Sequence, residues 1–456
     1  MFEGQKLIIK RFSKKINYKK ETDTMKNESA KKLLDFMKKS PTRYQVVANF
    51  EAMLDEKGYE KLYTEKPWKL ARGGKYYVSP NGSSIMAFPA EPTAGFMLSA
   101  AHSDSPTFKI KDNPEKAGAH YVQLTTERYG GALMSTWFDR PLSVAGRVLV
   151  RGENGRIATK LVNVDRDLLI IPNVAIHMNR NANNGFEIKA NVDTLPLFSD
   201  ENGKGKFMQV VADSLGINAE DIIGHDLYLY NRMAPTFLGR DDEYIASPKL
   251  DDVECAFGCM EGFINAAESG SIPVCCVFDN EETGSSTKQG AASNILRDLL
   301  RRIALNLGKS EEEYLAMVAQ SFMVSADNAH AQHPNHPEYS DSDNCPYMNK
   351  GIVIKFNANQ KYTTDGVSAA LFRRVCAEAG APVQVFANRS DMAGGGTLGS
   401  IANTKVAVST VDIGLPQLAM HSCYETAGAE DIDSLVKAMT AFYSKTLTVE
   451  NGEYGI

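Results

Sequence analysis

Apolar residues recur along this chain with two periods, and the places where one gives way to the other mark its organisation. Residues 29–39 ("SAKKLLDFMKK") and 42–57 read as helices, the first with Ser29 as candidate N-cap. A nearly continuous apolar run over 95–104 ("GFMLSAAHSD") reads as a strand. From about 109 to 242 the pattern is β-rich, with strands in "AHYVQLTTE", "AGRVLVRG", "IATKLVNV", "DLLIIPNVAI" and "HDLYLYN" between Gly, Asn and Asp turns. One helix near 206–215 interrupts it. After 245 the chain alternates: helix 250–268, strand 272–278, helices 288–306 and 311–320, then strand 321–326. Strand 351–357, helix 365–379, strands near 383–387 and 405–413, and helix 430–446 complete it. Such alternation predicts an α/β fold with a parallel or mixed sheet covered on both faces.

The strand at 95–101 ends in "HSDSP", as 272–278 ends in "DNEE" and 321–326 ends in "ADNAH". Ligands of open α/β sheets bind beyond the carboxyl ends of the strands. The expected organisation is therefore one α/β domain, residues 25–108 plus 243–456, interrupted by a β-rich insertion at 109–242.

Composition adds exclusions. At 456 residues, with 43% hydrophobic and 23% charged positions, the chain reads as soluble and globular. No run is long enough to span a bilayer, and a formal charge of −6 offers no footprint for nucleic acid. Seven cysteines without a CxxC pair suggest reduced thiols and a cytoplasmic setting. Residues 1–24 form a basic extension, net +4 against −10 for the remainder, read as a solvated arm.

The strand ends collect imidazoles and carboxylates. His102 and Asp104 follow one strand, Glu281 and Glu282 another and Asp327 a third. Asp251 and Asp252 open a helix, and His421 lies in "QLAMHS". Taken singly, each has a structural reading: a satisfied histidine, a helix cap, a strand terminator. Together they form the oxygen and nitrogen ligand set of zinc, cobalt or manganese. Two adjacent glutamates at the end of a buried strand repel unless a cation sits between them. The pleat sends neighbouring side chains in different directions, so Glu282 can bind a metal while Glu281 serves as a base in the adjoining cavity. His330, His333 and His336 recur every three residues, but Pro334 and Pro337 forbid a helical face there. A loop or subunit-contact role is expected for them.

These motifs together resemble the aspartyl aminopeptidase / vacuolar aminopeptidase I family of dinuclear zinc exopeptidases. The resemblance runs from about residue 29 through "AHSDSP", "YGGALMSTWFDRPLSVAGRV", "IPNVAIHMNR", "SPKLDDV", "DNEETGS", "SADNAHAQHPN", "IKFNANQKY" and "PQLAMHS". It implies two divalent metal ions per subunit, zinc with cobalt or manganese as substitutes, in a zinc-exopeptidase-like mixed sheet. Asp251 would bridge them; His102 and Asp327 would complete one shell, Glu282 and His421 the other. Glu281 would be the general base, with Asp104 orienting His102. His177 would reach a neighbouring subunit's site, the insertion would be a dimerisation domain, and dimers would build a tetrahedral dodecamer. Lys355 and Tyr362 match residues that recognise acidic N-terminal side chains, so peptides beginning with Asp or Glu are the expected substrates. The "NRSDMAGGGTLG" loop departs from the acidic-specific pattern, which leaves a neutral, leucine-like preference as the alternative. A related carboxypeptidase or deacylase and a vestigial self-assembling shell protein are the rival readings.

Overall fold

A computed structural model describes residues 27–91 and 94–456; the basic extension at 1–24 lies outside these. Nine strands form the main sheet. In spatial order they are Glu60–Lys61, Lys75–Val78, Ile85–Pro89, Ile272–Phe278, Phe96–His102, Phe322–Ala326, Ser409–Gly414, Ile352–Phe356 and Val383–Ala387. The central four, from Ile272–Phe278 to Ser409–Gly414, are mutually parallel, and every residue of Phe96–His102 is buried. Such a strand needs apolar residues on both faces, which is why its sequence runs apolar without alternation.

The pleat splits it between two cores. Met97 and Ala101 join the core beneath helices Glu28–Lys38, Arg43–Glu56, Leu250–Ile264, Gly366–Ala379 and Asp431–Tyr443. Phe96, Leu98 and Ala100 join the opposite core, beneath Ile295–Asn306, Glu311–Ala319 and Leu398–Asn403. Ser310 and Asp365 start two of these helices with reciprocal caps to Glu313 and Ser368.

Between Phe96–His102 and Ile272–Phe278 the chain builds a second, antiparallel sheet. Its order is Ile157–Asn163, Leu142–Arg151, Ile222–Asn231, Thr107–Ala117, Tyr121–Tyr129 and Leu197–Asp200. It has its own core around Phe108, Trp137, Val148 and Leu227, closed by the helix Phe207–Asp213. A third sheet of five short strands includes Ala329–His330, Pro416–Leu418 and Glu425–Gly428.

Three expectations need correction. Ser29 is not an N-cap: Asn27 holds that place, and Ser29 lies in the first turn, its hydroxyl donating to Asp433 at 3.1 Å. "DLLIIPNVAI" is not a strand; Leu169, Ile170 and Ile171 make isolated bridges, and residues 172–196 form turns and irregular chain. The helix expected from 288 starts at Ile295. Among the described residues no helix is long and apolar enough to cross a membrane. All seven cysteines are free thiols, six of them buried.

Candidate metal centre

The parallel strands deliver their polar ends to one place. His102 closes one strand and pairs in register with Phe278, so the turn after Phe278 rises beside it. Asp327 follows Ala326, and Asp251 sits in the first turn of Leu250–Ile264, where Lys249 holds the N-cap place and the Asp251 carboxylate faces the two imidazoles instead of capping the helix. His421 lies between Pro416–Leu418 and Glu425–Gly428 at a φ of 68°. A left-handed histidine costs of order 1–3 kcal/mol and needs support. Here Glu425 accepts its N–H at 2.7 Å, and its carbonyl accepts from Leu133 N at 2.9 Å.

Both imidazoles are oriented in the same way. His102 Nδ1 lies 3.0 Å from the Asp104 carbonyl and His421 Nδ1 3.1 Å from the Gly131 carbonyl. A carbonyl only accepts, so each Nδ1 carries a proton, and in the neutral ring each Nε2 is left with the lone pair that a metal ion would take. The two Nε2 atoms face opposite oxygens of one carboxylate: His102 is 3.5 Å from Asp251 Oδ1, His421 3.3 Å from Asp251 Oδ2. Glu282 Oε2 is 3.4 Å from His421 Nε2. His102, Asp251, Asp252 and Asp327 bring potential ligand atoms within 4.8 Å of one another, as do Asp251, Glu282 and His421.

The charge balance favours a cation. Burial and neighbouring carboxylates push Glu282 and Asp252 well above the usual carboxylate range, and burial raises Asp327 despite Lys355. Burial opposes ionisation of Asp251 too, but its bonds with the two imidazoles outweigh that and hold it low. Burial, with Asp327, Asp104 and Asp251 nearby, pushes Glu281 up to about 8. Buried oxygens of Asp251, Asp252 and Glu282 have no hydrogen-bond partner. Buried polar atoms are normally satisfied, and hard oxygens with imidazole nitrogens suit divalent zinc, cobalt or manganese, so the residues fit such an ion.

The divergence of Glu281 and Glu282 has a different cause from the one expected. Glu281–Thr283 is a single 3-10 turn, beyond the pleat. Asp104 holds that turn, accepting Glu281 N at 3.1 Å and Glu282 N at 3.2 Å on its two oxygens. Burial opposes the Asp104 charge, but His102, Arg43 and Tyr129 outweigh it and keep the carboxyl low.

Lys355 is buried, donates to Asn328 O at 2.9 Å, stands 3.8 Å from Asp327 and lies 5.3 Å from the centre of the Tyr362 ring. His330 precedes both prolines and lies exposed on the short strand Ala329–His330. It lines a cavity of about 290 Å³ with Phe386, Gly394, Gly395 and Arg389. His177 is not brought to the site by its own chain: it lies exposed within 172–196, and its ring makes no hydrogen bond or ion pair among the described residues. Asp252, counted among the candidate ligands but placed in neither shell, accepts His102 N at 3.0 Å; Glu425, Tyr129 and Arg43 had no expected role. Adjacency to Asp251 signals the first; nothing local signals the rest.

Comparison with known proteins identifies the family. Residues 36–443 match the model of the Aminopeptidase I zinc metalloprotease (M18) family. A probable M18 family aminopeptidase 2 of Clostridium acetobutylicum is 45% identical over 432 residues, covering 92% of this chain and all of the relative. Among solved structures, that of the Ape4 and Nbr1 complex matches with a TM-score of 0.89 at 35% identity, covering 91% of this chain and 85% of the other. The S. cerevisiae mApe1 dodecamer matches at 0.81 and 28% identity, covering 91% and 96%. The chain belongs to the M18 family of zinc metalloaminopeptidases.

Proposed function

We propose that this aminopeptidase works with two metal ions and removes single N-terminal residues from peptides, favouring Asp and Glu. The observation that carries the reading is Asp251 between two imidazoles, each facing a different oxygen, with Glu281 beside them. His102, Asp251 and Asp327 would hold one ion; Asp251, Glu282 and His421 the other. When bound, such ions polarise a peptide carbonyl and lower the pKa of water to about 7. Glu281 takes the proton of the attacking water and delivers it to the departing amide nitrogen. Asp104 keeps Glu281 in place and sits behind His102, the usual station of a carboxylate behind a metal-bound imidazole.

Lys355 and Tyr362 are proposed to recognise the acidic side chain, with His330 at the mouth of the adjoining cavity. One observation favours the neutral alternative: the Lys355 ammonium already donates to Asn328 O and stands beside Asp327. Residues 25–108 and 243–456 are assigned to catalysis and 109–242 to subunit pairing. The dodecamer of mApe1 supports a similar assembly here. In it, His177 would enter a neighbouring subunit's site and donate to the developing oxyanion. The deciding experiment is kcat/KM on Asp-, Glu- and Leu-terminated peptides, with an N-acetylated control and a chelated sample. Chelator-sensitive release from free N-termini is expected, with Asp and Glu ahead. If Leu wins, Lys355 and Tyr362 lose their part in selection. Release from the acetylated peptide would overturn the aminopeptidase mechanism.

A further inference from the structure

Arg43, at the start of Arg43–Glu56, lies buried between two aromatic rings of the second sheet. Its guanidinium carbon is 3.9 Å from the ring centre of Tyr129 and 4.6 Å from that of Tyr228. Its Nη1 donates to Asp279 Oδ1 at 2.8 Å and to the Tyr129 hydroxyl oxygen at 2.6 Å. Asn280 Nδ2 donates to that same oxygen at 2.8 Å. A hydroxyl has two lone pairs and one proton. With both lone pairs engaged, the proton of Tyr129 is directed to Asp104 Oδ2, 2.7 Å away.

The carboxylate that receives it is the one that caps the glutamate turn, taking Glu281 N on Oδ1 and Glu282 N on Oδ2. The next two residues of the same stretch also face the site. Gly130 has a φ of 72°, and a Cβ there would come within 3.1 Å of Glu282 Cβ. The Gly131 carbonyl orients His421. Tyr129, the last residue of its strand, and the two glycines that follow it thus abut both sides of the centre.

We infer that Tyr129, aimed by Arg43 and Asn280, is a positioning residue: its hydroxyl fixes Asp104, and Asp104 fixes the backbone of Glu281 and Glu282. The inference rests on the proposed roles of those glutamates. It makes the second sheet part of the catalytic geometry, because the base and a metal ligand are held through a proton that this sheet donates. Without that proton Asp104 loses a charge-assisted bond in a buried setting and shifts, and both glutamates shift with it. Misplacement by about 1 Å costs roughly 100-fold in rate.

Tyr129→Phe removes the hydroxyl and leaves a ring over Arg43, whereas Tyr129→Leu removes both. Each is compared with the parent on the peptide that the parent cleaves best, with metal content and melting temperature measured alongside. Assayed with metal in excess, Tyr129→Phe is expected to lower kcat about 10- to 100-fold, with KM within about twofold. Tyr129→Leu should add a fall in melting temperature. If Tyr129→Phe turns over like the parent and only Tyr129→Leu suffers, the residue is packing and the inference fails. It fails equally if the Phe variant loses metal and excess metal restores its rate. A parent that releases no amino acid fails at an earlier point, in the functional reading itself.

Discussion

The strand-end cluster and the segment carrying His177 solve the problem of placing a histidine in opposite ways. At the metal centre each imidazole is tied to a backbone carbonyl and faces Asp251, His102 from the buried parallel sheet and His421 from the turn between Pro416–Leu418 and Glu425–Gly428. Around His177 the chain has no regular structure from 172 to 196, and Val174, Ile176 and Met178 stand exposed beside it. The first arrangement is complete within one chain. The second leaves an imidazole and three apolar side chains open to solvent.

Substitutions can break that contrast. Glu281→Gln strikes the self-contained region and should cut turnover about 10²- to 10⁴-fold while metal content stays at the parent level. Loss of metal would move Glu281 from base to ligand. His177→Phe strikes the other region and should cut turnover about 10²- to 10³-fold with metal retained. A near-parental rate would remove it from the mechanism. Arg43→Met tests the framework behind the first region: it leaves Asp279 buried without its partner and should cost about 3–5 kcal/mol in denaturant unfolding. A cost below about 1 kcal/mol would place that pair with ordinary surface ion pairs.

The sheet and its ligand-bearing ends were legible because buried parallel strands cannot alternate, so each apolar run stops visibly where the polar cluster begins. The reason given for Glu281 and Glu282 was not legible. A pleat was invoked, but Asp104, far away in sequence, holds a 3-10 turn that no local pattern announces. His330 was obscured by prolines that follow it and do not act on it. "DLLIIPNVAI" carries strand-forming residues, yet Pro172 lacks a ladder donor and the apolar residues after it find no partner strand among the described residues. Arg43 and Tyr129 escaped notice because what makes them special is where the fold brings them. An arginine near a helix start and a tyrosine before two glycines have no signature of their own.

The register of Phe96–His102 on Ile272–Phe278 also sets the order in which this molecule can form. The two strands are adjacent in space, while the whole second sheet lies between them in sequence. Closing so long a loop is entropically costly and slow compared with local pairing. Within the second sheet two hairpins, Thr107–Ala117 with Tyr121–Tyr129 and Leu142–Arg151 with Ile157–Asn163, pair locally, while Ile222–Asn231 joins them across a long loop. During synthesis His102 emerges long before Glu281, Asp327 and His421. The pocket these four residues line is complete only once the last of them has been made and the long loop between the two strands has closed.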